Sequence, residues 1–186
     1  MKKDLTELVF IIDRSGSMSG LESDTIGGYN AMLEKQKKEQ GEAIITTVLF
    51  DDKYELLHDR INIRGVEPIT EKDYFVRGCT ALLDAVGKTI NKIGRVQKHT
   101  SEDQRAEKVM FVITTDGMEN ASREFTPEKI REMITHQKVK YGWEFIFLGA
   151  NIDSAETAES FGIGRDMAAD YNADSEGTRL NYEVIS

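Results

Sequence analysis

With Cys79 as its one cysteine, the chain can form no intrachain disulfide, which fits a reducing compartment and makes the cytoplasm the expected location. Prolines number two, and low-complexity tracts are missing, so fibrous and disordered classes are excluded. Basic charge is scarce. Twenty-four Lys and Arg face 33 Asp and Glu, and the net charge of −9 opposes binding to a phosphate backbone, so nucleic acid is not an expected partner. Long apolar runs are missing as well. Met1, Lys2, Lys3 and Asp4 open the chain, and the run from Leu8 to Ile12 stops at Asp13, far short of the roughly 20 residues that cross a bilayer. Neither a signal peptide nor a membrane helix is expected.

What is present is a globular composition, 39% hydrophobic and 31% charged, in 186 residues. That length suits a single domain over 1–186 with its own core. Residues 5–12 read as a buried strand because Leu8, Val9, Phe10, Ile11 and Ile12 are continuously apolar. A Ser/Gly loop follows. Ile26, Tyr29 and Leu33 recur at helical spacing within residues 21–39, loosened at Gly27-Gly28 and closed by Gly41. Residues 43–50 form a second strand, and 53–63 pair with it across Asp51-Asp52 as an antiparallel hairpin at a sheet edge. Leu82, Leu83, Val86, Ile90 and Ile93 mark a long helix with Thr80 as its N-cap. A polar stretch, 100–107, precedes a buried strand at 108–115 that stops at Asp116-Gly117. Thr126-Pro127-Glu128 starts a helix reaching about Lys140. Residues 143–148 are a further strand, 154–161 a short helix and 178–185 a last helix, while 162–173 carry no clear signal. Strands alternating with long helices predict an α/β fold: a doubly wound, mainly parallel sheet with helices on both faces and one antiparallel edge strand. Ligands of such sheets bind beyond the carboxyl ends of the strands, where strand order reverses.

Two strand ends carry notable residues there. The first strand runs into Asp13-Arg14-Ser15-Gly16-Ser17 and the later one into Thr115-Asp116-Gly117, while Thr80 follows Gly78-Cys79. Each piece alone has a plain explanation as a side-chain-bonded turn, an N-cap or a Gly turn. Together they bring two carboxylates and three hydroxyls to one rim. An all-oxygen set without His or Cys suits a hard cation such as Mg²⁺, with Mn²⁺ or Ca²⁺ as substitutes.

The pattern Asp13-x-Ser15-x-Ser17, then Thr80, then Asp116 resembles the metal-ion-dependent adhesion site of von Willebrand factor type A domains. The wording Thr115-Asp116-Gly117 with Asn120 is similar to the bacterial and intracellular branches of that family. The resemblance spans nearly the whole chain. It implies that Ser15 and Ser17 coordinate the metal directly, Thr80 directly or through water, and that Asp13 and Asp116 act largely through water and hydrogen bonds to the serines. One metal position is then left for an Asp or Glu carboxylate of a protein partner, and neutral hydroxyl ligands leave the cation strongly attractive to such an anion. The residue before the threonine is usually glycine in the family and is Cys79 here.

Other residues carry less. Cys79 reads as a buried, inert thiol, and His58, His99 and His136 fall in three different elements with no metal-binding neighbour. Lys35, Lys37, Lys38 and Glu39 read as the solvated end of a helix, and Trp143 as packing. Arg14 and Met18 flank the ligands, where contact with a partner and plain loop filling are equally compatible with their types. The expected function is a binding module and not an enzyme. The competing class is a Mg²⁺-dependent phosphohydrolase, but that chemistry wants a second acid two residues after the strand-end Asp, and Ser15 stands there. Neither a Gly-x-Gly-x-x-Gly dinucleotide loop nor a P-loop is present.

Overall fold

The computed structural model describes residues 1–116, 121–150 and 154–171. The chain runs through β1 (Lys2–Asp13), α1 (Glu22–Lys37), β2 (Glu42–Phe50), β3 (Tyr54–Asn62), α2 (Leu82–Lys98), β4 (Ala106–Thr115), α3 (Pro127–Tyr141), β5 (Glu144–Ala150), α4 (Ser154–Ser160) and β6 (Ala168–Tyr171). One sheet orders them β3-β2-β1-β4-β5-β6. Every neighbouring pair is parallel except β2 with β3, so the antiparallel strand lies at the edge. This is the α/β architecture expected from the alternation of strands and helices.

The sheet is buried on both faces by alternate side chains of the same strands, the period-two consequence of the pleat. Val9 and Ile11 of β1 join Phe111 and Ile113 of β4 under α2, α3 and α4. Leu8, Phe10 and Ile12 point the other way, where Tyr29, Met32 and Leu33 of α1 and Val66, Ile69 and Tyr74 of the segment before α2 cover them. Central strands covered on both sides need continuous apolar runs, which is why β1 reads as one. Aromatic packing closes the far end: the Trp143 ring stacks on Phe111 at 5.4 Å and tilts against Phe145.

Helix ends follow local chemistry in one case and long-range chemistry in another. Thr126 caps α3, its side chain accepting from the Lys129 N–H, with Pro127 at the first position and Gly142 left-handed at the far end (φ +69°). The expected Thr80 cap of α2 is not there. Ala81 occupies that position without a side-chain cap, and the Asp84 N–H donates to the Ser122 hydroxyl instead. The Asp84 carboxylate in turn accepts from the backbone N–H groups of Arg123, Glu124 and Phe125 at 2.9–3.0 Å. Gly87 allows this docking, since a Cβ there would meet the Phe125 ring at 2.6 Å.

Two expected boundaries move. The segment without a clear signal supplies β6, a parallel edge strand pairing Phe147 with Ala168. The helix expected at 178–185 lies outside the described residues. Lys37 is also more than solvated helix end, because its Nζ donates to the Val66 carbonyl and ties α1 to the segment beside it. Among the described residues no helix is long and apolar enough to cross a membrane.

Candidate metal centre

The chain leaves β1 for β2 on one side and later reaches β4 on the other, so the carboxyl ends of β1 and β4 flank the point where strand order reverses. Ile11 pairs with Ile113 and Ile12 with Thr114. Continuing that register sets Asp13 beside Thr115 on the same face of the sheet. The Thr115 hydroxyl donates to Asp13 Oδ2 at 2.8 Å, and the Ser15 N–H donates to Oδ1 at 2.7 Å. Both carboxylate oxygens are therefore held, and the side chain is fully buried.

Beyond Asp13 the backbone makes one 3₁₀ turn, Gly16–Met18, pinned by the buried Met18 and Leu21. The turn brings the Ser15 and Ser17 hydroxyls to 3.0 Å. Ser15 is buried and Ser17 is exposed, so the pair runs from the interior to the surface.

A second loop is stitched to this one. Tyr74 is buried and donates its hydroxyl to the Asp13 carbonyl at 2.8 Å, the Arg77 N–H donates to the Arg14 carbonyl, and the Gly16 N–H donates to the Gly78 carbonyl. Gly78 is left-handed (φ +66°), and a Cβ on it would run into the Asp52 carboxylate. The Ala81 N–H reaches the Asp51 carbonyl, and the Asp51 side chain accepts from the Lys53 N–H and from Arg77 Nε at 2.8 Å. Thr80, between these anchors, is buried. Its carbonyl accepts from the Ala121 N–H, which joins the third loop to the second.

Asp116 is nearly buried at the end of β4 and close enough to act on Asp13 electrostatically. The Asp13 carboxyl is raised from an ordinary 3.8 to about 6. Burial is the main cause; hydrogen bonds from Ser15 and Thr115 pull it down, and the neighbouring Asp116 charge adds to the rise. A carboxylate kept out of water at this cost is one that a cation would stabilise. Among the described residues no group of three or more His, Cys, Asp or Glu is placed to hold a metal ion, so a cation here would depend on the hydroxyls as well as the two acids. Such a mixed, all-oxygen set matches hard divalent cations.

Asp13, Ser15 and Ser17 are thus linked directly, Asp116 lies close enough to act on Asp13, and Thr80 sits between the Gly78 and Asp51 anchors of the second loop. Thr115, Tyr74, Asp51 and Arg77 hold the site together; the last three escape a reading based on ligand motifs, and Thr115 enters one only as the neighbour of Asp116. The Thr115 bond to Asp13 shows only through strand register, and Tyr74 only through tertiary contact. Arg14 and Met18, for which the sequence leaves partner contact and loop filling both open, are fully buried and fill the loop. Two expectations are corrected. Cys79, one position after the left-handed Gly78, is exposed rather than buried. Thr80 does not cap α2. The histidines do lie apart, and half-buried His58, its pKa lowered by burial, is engaged by Thr47 and Tyr29.

No protein-family model matches the sequence, nor does any curated protein. Solved structures do match in fold. Proximal thread matrix protein 1 from the mussel byssus, solved with a zinc-occupied metal-ion-dependent adhesion site motif, is 14% identical with a TM-score of 0.65 over 97% of this chain and 44% of that one. A von Willebrand factor type A protein from Catenulispora acidiphila is 12% identical, with a TM-score of 0.65 over 97% of this chain and 41% of that one. The manganese-loaded TRAP protein of Plasmodium vivax is 17% identical, with a TM-score of 0.69 over 97% of this chain and 72% of that one. The fold is therefore that of von Willebrand factor type A domains. The chain spans less than half the length of the first of these neighbours.

Proposed function

We propose that the domain is a protein-binding module that holds one divalent cation, Mg²⁺ in the cell, and docks an Asp or Glu carboxylate of a partner on it. Ser15, Ser17 and Thr80 would hold the ion, with Asp13 and Asp116 supporting it through hydrogen bonds and water. When bound, the ion supplies a Lewis-acidic, anion-seeking point at the rim of an acidic protein. The observation that carries this reading is the clamp on Asp13: a fully buried carboxylate, fixed by Ser15 and Thr115, below a Ser15–Ser17 hydroxyl pair that reaches the surface. Two solved neighbours of the same fold contain zinc or manganese, which supports a divalent metal. A single cysteine and a net charge of −9 support a cytoplasmic setting and a protein partner rather than nucleic acid.

Catalysis is not part of the proposal. Among the described residues the groups that converge on the site are Asp, Ser and Thr with no histidine or lysine beside them, and Arg14 and Arg77 are engaged by Glu55 and Asp51, which supports binding over catalysis. Isothermal titration with Mn²⁺ tests the site: Asp13→Ala and Ser17→Ala should each weaken binding about tenfold or more while the circular dichroism stays that of the wild type. Wild-type affinity in both variants refutes the assignment. Reproducible Mg²⁺-dependent hydrolysis of a phosphoester that vanishes in Asp13→Asn would instead make the chain a phosphohydrolase.

A further inference from the structure

Phe75 is a large apolar side chain left 42% exposed beside the metal loop. Single exposed apolar residues are common on protein surfaces and need no explanation. This one differs in how it is held. On its N-terminal side Tyr74 is bonded to the Asp13 carbonyl, and two residues further on the Arg77 N–H is bonded to the Arg14 carbonyl. The backbone carrying the ring is thus tied at both ends to the strand end that carries the site. The ring itself is flanked by two guanidinium groups, Arg14 at 5.6 Å and Arg77 at 5.7 Å from its centroid.

The two arginines have different roles. Arg14 is fully buried and paired with Glu55, 2.5 Å from its Nη1, with the Phe75 ring over its guanidinium. Arg77 is 44% exposed along its side chain and spends one N–H on Asp51. Burying Arg14 under Phe75 immobilises the aromatic before any partner arrives, which lowers the entropic cost of using it as a contact. Rigid aromatic and arginine side chains of this kind are the groups that dominate binding energy at interfaces.

We propose that Phe75 and Arg77 form the second contact for the partner, selecting an acidic peptide segment with an aliphatic or aromatic residue adjacent to its metal-seeking carboxylate. The inference rests on the metal-docking reading above. The partner's carboxylate would go to the cation, its neighbouring apolar side chain to the exposed part of the Phe75 ring, and its backbone carbonyl or a further acid to Arg77. Charge favours this occupant, since the cation and the exposed Arg77 side chain both attract an anion.

The test uses the full chain, immobilised and loaded with Mg²⁺, and a positional peptide library with one fixed Asp. Wild-type protein should retain peptides in Mg²⁺ and release them in EDTA, with aliphatic and aromatic residues enriched beside the Asp. In Phe75→Ser that enrichment should fall at least about fivefold, toward the level of a random position, while Asp-dependent retention and Mn²⁺ affinity persist; Phe75→Leu should keep it. Unchanged side-chain preference in Phe75→Ser overturns the inference, as does a loss of Mn²⁺ affinity in that variant, which would make the ring a structural support. Retention by wild type that ignores both Asp and Mg²⁺ overturns the metal-docking reading itself.

Discussion

Asp13 ends a buried strand, and its chemistry sets a pH dependence of known sign. Its folded-state pKa of about 6 lies above the ordinary 3.8, so between those values the folded metal-free protein binds more protons than the unfolded chain. Stability from this group is fully present below about pH 4 and is lost as pH rises to about 6 and beyond. The shift corresponds to about 3 kcal/mol. Urea unfolding of the metal-free wild type and of Asp13→Asn should therefore show the variant gaining relative stability from pH 4 to pH 7; a constant difference would mean that burial does not control this carboxyl. Metal binding runs the opposite way, because the cation competes with the proton: Mn²⁺ affinity should fall below about pH 6 by up to about tenfold per unit. Thr115→Val should also weaken Mn²⁺ binding, about tenfold or more, because it leaves Asp13 Oδ2 without its hydroxyl donor. The acids and serines of this site are legible in the sequence because an all-oxygen set at strand ends is the pattern that the proposed cation would need. Thr115 is not, since nothing local marks a strand threonine as the partner of a residue about a hundred positions away.

At the level of elements, the three loops of the site are held by α2 rather than by one another alone. Asp84 in its first turn gathers three backbone N–H groups of the segment leading into α3, and the Thr80 carbonyl takes a fourth from Ala121. Asp84→Ala should lower stability by about 2 kcal/mol in urea unfolding, because those donors lose a charged acceptor in a half-buried setting. It should also weaken Mn²⁺ binding although Asp84 is no ligand. Unchanged Mn²⁺ affinity would show that the loops are positioned without it. Helices and strands with strong periodicity are readable in advance, α3 down to its cap and proline. The cap of α2 misleads because Ser122, distant in sequence, takes the place of a local side chain, and β6 is missed because four residues with two alanines carry neither period nor bulk. Gly78 likewise carries a local requirement: it adopts the left-handed turn one position before Cys79, and a side chain on it would meet the Asp52 carboxylate.

For the molecule as a whole, core and site are separable, and this determines what metal removal does. Both apolar layers run the length of the sheet, and the metal-site side chains add polar bonds at its upper rim without contributing to either layer. The whole-molecule pattern is also what the sequence displays best: the alternation of strands and helices is enough to predict a switch point, and the acids at two strand ends mark it. A ligand bound to the folded state alone stabilises by RT ln(1 + [L]/Kd), which at ten times Kd is about 1.4 kcal/mol. For a chain of this size that amounts to about 3–6 °C in melting temperature. Mg²⁺ or Mn²⁺ should therefore raise the melting temperature by that modest amount, and EDTA should return it to the metal-free value while the far-ultraviolet circular dichroism stays folded. The rise should be absent in Ser17→Ala, whose exposed hydroxyl contributes little to packing. Complete unfolding in EDTA would make the metal a structural element on which the core depends, and an equal rise in Ser17→Ala would place the cation elsewhere on this acidic surface.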